Sequence, residues 1–221
     1  AKKRGKVLWG DRNVFDEVRM NQPFDIPKWE GIRLLFNRVF CLIEVLNGDK
    51  PREYQIAKAY LGIGEAYLVF NNKYQPSYEE RLEEISKKCD LDFIEDFQQK
   101  FIASSEYKLK GGAAPFSELD IARKDILIAL DRYLSVFLKN HGTLDDKLNL
   151  LLQRFRHPYH PIFYAVTNAL SGSLSQILFE EPCLHIWKKG VDILASHYNE
   201  KNSDLNKLID DWKRVPQYVL T

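Results

Sequence analysis

The chain has no surplus of either charge: 32 Lys and Arg face 31 Asp and Glu, a net charge of +1. A nucleic-acid binder normally carries a basic excess on at least one domain, so this balance argues against one. Dividing the chain at Gly111 and Gly112 leaves both halves as balanced as the whole. Cysteine is also scarce. Cys41, Cys89 and Cys183 lie far apart and form neither a CxxC pair nor an even framework, which reads as reduced buried thiols and a cytoplasmic location. No long apolar run is present either. The longest, from Asp125 to Leu138, is broken by Asp131 and Arg132, and the start has no signal-peptide pattern, so no membrane partner is expected.

Standard catalytic signatures are missing too. There is no GxxxxGK[ST] phosphate loop, no HExxH, no GxSxG and no Cys/His set with zinc spacing. Gly62, Gly64, Gly111 and Gly112 make no GxGxxG after a strand, and no repeat of solenoid length occurs. No metal site is expected in the chain.

What the sequence does have is helical periodicity. Ile32, Leu35, Phe36, Val39, Ile43 and Leu46 recur at three- and four-residue steps after a first-turn Pro27, which predicts a helix ending near Asn47 and Gly48. Tyr54, Ala57, Tyr60, Leu61, Gly64 and Leu68 continue the pattern to Asn71 and Asn72, and the two helices should pair as an antiparallel hairpin. Gly62 and Gly64 each cost roughly 1 kcal/mol inside a helix. Close approach of a neighbouring element is the expected reason. Ser77 and Glu80 form a capping-box pattern opening a helix to Lys88, and a further helix is expected from Asp90 to Lys108. After the break at 110–115, Ser117 should cap a long helix to Lys139, with Ile121, Ile128, Leu130 and Leu134 inward. Shorter helices follow over 144–156, 162–171, 173–180, 183–198 and 203–213. The expected fold is an all-α multi-helix bundle, either single or made of two packed lobes over 27–110 and 117–221, preceded by an extended N-terminal segment over 1–26. Within that segment Lys6 to Gly10 read as a strand with no partner for its ladder hydrogen bonds.

Polar residues on the second helix attract attention. Tyr54 and Lys58 are one helical turn apart, and Glu65 lies two turns further along the same side; Tyr74 follows in the connecting block. This pattern fits either a wet cleft or a solvated face. Arg154 and His160, six residues apart near a helix end, have the general form of the ribonuclease motif of helical HEPN domains, although Phe155 replaces the usual polar neighbour and Pro158 intervenes. His157 and His160 lack an identifiable third metal ligand. A helical protein-interaction module is a third reading, which a homodimer interface on Trp29, Trp187 or Trp212 would favour.

Four blocks carry a family resemblance: Gly5-Lys6-Val7-Leu8-Trp9-Gly10-Asp11, Leu35-Phe36-Asn37-Arg38, Tyr54-Gln55-Ile56-Ala57-Lys58-Ala59-Tyr60 and Lys73-Tyr74-Gln75-Pro76-Ser77-Tyr78-Glu79-Glu80-Arg81. Over residues 5–85, and more weakly over 117–139, the chain resembles the helical region that follows the catalytic domain in prokaryotic nucleotidyltransferases of the polymerase-beta type. The family's Gly-Ser turn and Asp-x-Asp metal pair are absent. Ser171-Gly172-Ser173 runs into Leu-Ser-Gln-Ile, and Asp90-Leu91-Asp92 has no preceding Gly-Ser. Without those carboxylates the chain holds no magnesium for in-line transfer. The resemblance therefore implies a substrate-side accessory domain that is not catalytic alone, with Tyr54, Lys58, Glu65 and Tyr74 facing a small-molecule acceptor. It implies a catalytic domain in the same or a partner chain, which would bring the Mg and the nucleoside triphosphate.

Overall fold

The computed structural model describes residues 26–87, 89–113, 115–154, 182–196 and 203–214. Among them are eight α-helices and no strand: α1 (Lys28–Leu46), α2 (Arg52–Phe70), α3 (Tyr78–Lys87), α4 (Phe97–Lys110), α5 (Leu119–Leu138), α6 (Leu144–Arg154), α7 (Pro182–Ala195) and α8 (Ser203–Arg214). The expected extended segment, its Lys6–Gly10 strand, the helices over 162–180 and His157 and His160 lie outside the described residues.

α1 and α2 form the antiparallel hairpin that the apolar spacing predicts, and they are the centre of the bundle. α2 is buried along nearly its whole length from Gln55 to Phe70, so other helices must cover it on several sides. α4 and α3 pack on one flank of α2, and α5 lies against both α1 and α2. α7 and α8 close the remaining side of α1. The stretches before and after Gly111 and Gly112 thus contribute to one continuous apolar core.

Aromatic stacking binds α7 and α8 to α1. Trp187 stacks on Phe36 with ring centroids 4.5 Å apart and on Trp29 at 5.7 Å, and Trp212 stacks on Phe40 at 4.9 Å. Such pairs add about 0.5–1.5 kcal/mol each beyond area burial. Trp29 and Trp187 are buried in the chain's own core, and Trp212 packs against it half-buried.

Local differences from the periodicity have local causes. The predicted helix over 90–108 begins only at Phe97, because Leu91 to Asp96 form turns and Asp96 adopts a left-handed conformation at φ 51°, which a right-handed helix cannot pass through. Ser117 does not cap α5; Glu118 occupies that position and makes no side-chain cap bond. Ser77 does cap α3, its Oγ accepting from the Glu80 backbone N–H at 3.2 Å. Ile121, expected inward, is 43% exposed.

Both interior glycines have the reason expected. A Cβ on Gly64 would clash with the Phe101 ring of α4, and one on Gly62 would sit 2.5 Å from Cγ of Arg38. The helices are packed through the missing side chains.

Among the described residues no helix is long and apolar enough to cross a membrane. Cys41 and Cys89 are free thiols, Cys41 buried and Cys89 pushed up to about 11 by burial.

Candidate functional site: a cation-lined strip on α2

Residues 54, 58, 62 and 65 fall at successive turns on one side of α2. Tyr54 stands exposed at the start of this strip, with the Lys58 and Lys108 ammonium groups each 5.4 Å from its ring centroid. Lys108, reaching across from α4, also donates to the Tyr54 hydroxyl at 3.4 Å. One turn further, Gly62 leaves the groove through which Arg38 of α1 crosses α2. Arg38 has only a long contact from Nη1 to Cys41 Sγ at 3.8 Å, and its buried Nε has no hydrogen-bond partner among the described residues.

Glu65 ends the strip and is buried. Arg81 of α3 donates from Nη1 to Glu65 Oε1 at 2.5 Å and to the Tyr74 hydroxyl at 2.9 Å, while its Nε donates to the Ser77 carbonyl at 3.2 Å. The guanidinium also lies against Tyr78 and Tyr74, 4.0 and 5.1 Å from their ring centroids. Burial raises the Glu65 carboxyl above its ordinary value, outweighing the opposite pull of Arg81, Arg38 and Lys108. Burial likewise raises Tyr74, against the pull of Arg81.

The four residues predicted from sequence thus fall into two linked groups. Tyr54 and Lys58 touch each other, and Glu65 and Tyr74 meet through Arg81. Arg38 and Arg81, which join the strip together, were contained in the resembling blocks but not singled out. A glycine inside a helix marked the place where Arg38 crosses; no sequence signal marked Arg81 beyond its position one turn after Tyr78.

No family model, curated protein or solved structure matches the chain. The strip's chemistry has to be read from its residues alone. Arg38, Lys58, Arg81 and Lys108 outnumber the single carboxylate, and of these four only Arg81 is ion-paired within the described residues. Tyr74 stays protonated at neutral pH, and Glu65 is committed to Arg81. The arrangement can hold an anionic group, yet it offers no activated nucleophile and no free general base. No group of three or more His, Cys, Asp or Glu among the described residues could hold a metal.

The alternative pair is not assembled in what is described. Arg154 is the last residue of α6, but its side chain and all of His160 lie outside the described residues.

A second polar centre went unnoticed in the sequence. On the opposite side of α2, the Tyr60 hydroxyl donates to Asp125 Oδ2 at 3.1 Å and Lys100 donates to the same oxygen at 2.8 Å. Its three members come from α2, α4 and α5, so no local spacing announces them.

Proposed function

We propose that the chain is a helical substrate-side domain of a nucleotidyltransferase-like protein, non-catalytic alone, in which the α2 strip faces the acceptor. The observation that supports this reading is Arg38 crossing α2 at Gly62. Through it, the Leu-Phe-Asn-Arg block and the Tyr54–Tyr60 block, two of the four that carry the resemblance, supply one cation-rich surface. Among the described residues Arg38, Lys58 and Lys108 have no carboxylate partner, and Lys58 and Arg38 suit a phosphate or carboxylate of the bound substrate. Mg and a nucleoside triphosphate belong, on this reading, to the catalytic domain.

The test is the coding sequence read in frame upstream of Ala1, together with the genes adjoining it. A Gly-Ser turn followed by Asp-x-Asp, in the same frame or in a neighbouring partner gene, is the expected result. Absence of that pattern from both overturns the assignment.

A further inference from the structure

A cavity of about 280 Å³ opens between α2, α4, α5 and the 115–118 connection. It is on the far side of α2 from the strip, since Tyr60 is two residues from both Lys58 and Gly62 and so points roughly the opposite way. Its floor is aromatic: Tyr60 and Phe116 meet edge to face with centroids 5.2 Å apart. Ile121 adds an apolar wall and is 43% exposed.

The charges around this floor have one sign left over. Among the described residues Lys100 is the one cation lining the cavity, and Asp125 neutralises it at 2.8 Å within a largely buried pair. Glu95, Asp96 and Glu118 also line the cavity, and none has an ion-pair partner among the described residues. Glu118 and Asp125 both reach Tyr60 electrostatically, adding to the burial that raises its hydroxyl, so the negative field extends to the floor. An apolar aromatic floor beneath unpaired carboxylates matches a ligand with an apolar body and a positive head.

We infer that this cavity binds a small organic cation, an ammonium group carried on an apolar body. The body lies on Phe116 and Ile121, and the ammonium faces Glu118, Asp96 and Glu95. The volume suits a ligand of one ring or a short chain. A carboxylate of the same shape is rejected, because the one cation present is already paired. This inference concerns a different face from the strip and stands or falls independently of it.

The test is titration of the chain with phenethylamine, and separately with 3-phenylpropionate, at low ionic strength, followed by calorimetry and by amide chemical shifts. The amine is expected to bind and the carboxylate not to bind, with shifts at Tyr60, Phe116 and Glu118. Glu118→Gln and Asp96→Asn should each weaken the amine about fivefold, as expected for one charge a few ångströms away in a partly wet site. Asn tolerates the left-handed backbone at position 96, so folding is preserved. Phe116→Ala should weaken it with the charge unchanged, whereas Glu83→Gln, an exposed carboxylate on α3, should not. Equal binding of both probes, shifts elsewhere, or affinity indifferent to Glu118 and Asp96 would overturn the inference.

Discussion

Arg81 and Glu65 meet at 2.5 Å with both side chains almost wholly withdrawn from solvent, and they tie α3 to the centre of the bundle. Removing one partner strands the other's charge in the interior, which typically costs about 3–5 kcal/mol. Arg81→Ala is therefore expected to lower the urea midpoint strongly. The double variant Arg81→Met with Glu65→Gln, which leaves no buried charge, should recover most of that loss.

The same pair sets a pH dependence. Glu65 has its folded-state value raised above 4.5, so the native state holds this proton more tightly than the unfolded chain does. Its contribution to stability is then fully present below the unfolded value and is lost as pH rises through the higher folded value. Urea melts across the mildly acidic range should show wild-type stability falling relative to Glu65→Gln as pH increases. Parallel profiles for the two proteins would contradict the direction assigned to Glu65.

Gly62 and Gly64 separate two kinds of close packing. Alanine at either position gains roughly 1 kcal/mol of helix propensity. At Gly64 the new methyl meets the Phe101 ring, a rigid core group, and overpacking of about 1–3 kcal/mol should outweigh the gain. Phe101→Leu in the same chain should relieve part of the cost. At Gly62 the obstacle is the aliphatic stem of Arg38, which has to turn at its base, so Gly62→Ala should cost less than Gly64→Ala while displacing Arg38 from the strip. Thermal melts of the three variants give the comparison.

Arg123 fixes the end of α7 to α5. Buried, it donates from Nε at 3.1 Å and from Nη2 at 2.5 Å to the Leu194 carbonyl, and from Nη1 to Asp120 at 2.8 Å. Lysine cannot reproduce this fork. Arg123→Lys should cost about 1–3 kcal/mol by leaving a buried carbonyl under-satisfied. Amide exchange in α7 should quicken more than in α2.

The helices could be read in the sequence because their cause is local. The spacing of Ile32, Leu35, Phe36 and Val39 is enough to define the buried side of α1, and all four are fully buried. Gly62 and Gly64 could be read as close approaches because a glycine inside a helix needs a steric reason, though which groups approach could not. The turns over 91–96 were missed because the apolar spacing of Phe93, Ile94 and Phe97 suits a helix, and only the left-handed Asp96 breaks it. At the candidate site, Tyr54 and Lys58 were visible as a one-turn pair. Their setting was not, since Arg38, Arg81 and Lys108 arrive from three other helices, and Lys100 and Asp125 reach Tyr60 from two.

If the α2 strip serves an acceptor in nucleotidyl transfer, as proposed, the most direct measurement is Mg-dependent transfer by the whole gene product, wild type against Lys58→Ala. Lys58 is half-buried and, among the described residues, makes only a cation–π contact with Tyr54, so its loss should leave the melting temperature almost unchanged. Acceptor turnover should fall about tenfold or more, the loss expected for one charge-assisted hydrogen bond. Transfer unaffected by Lys58→Ala, or a large drop in stability that makes Lys58 a structural residue, would contradict the account.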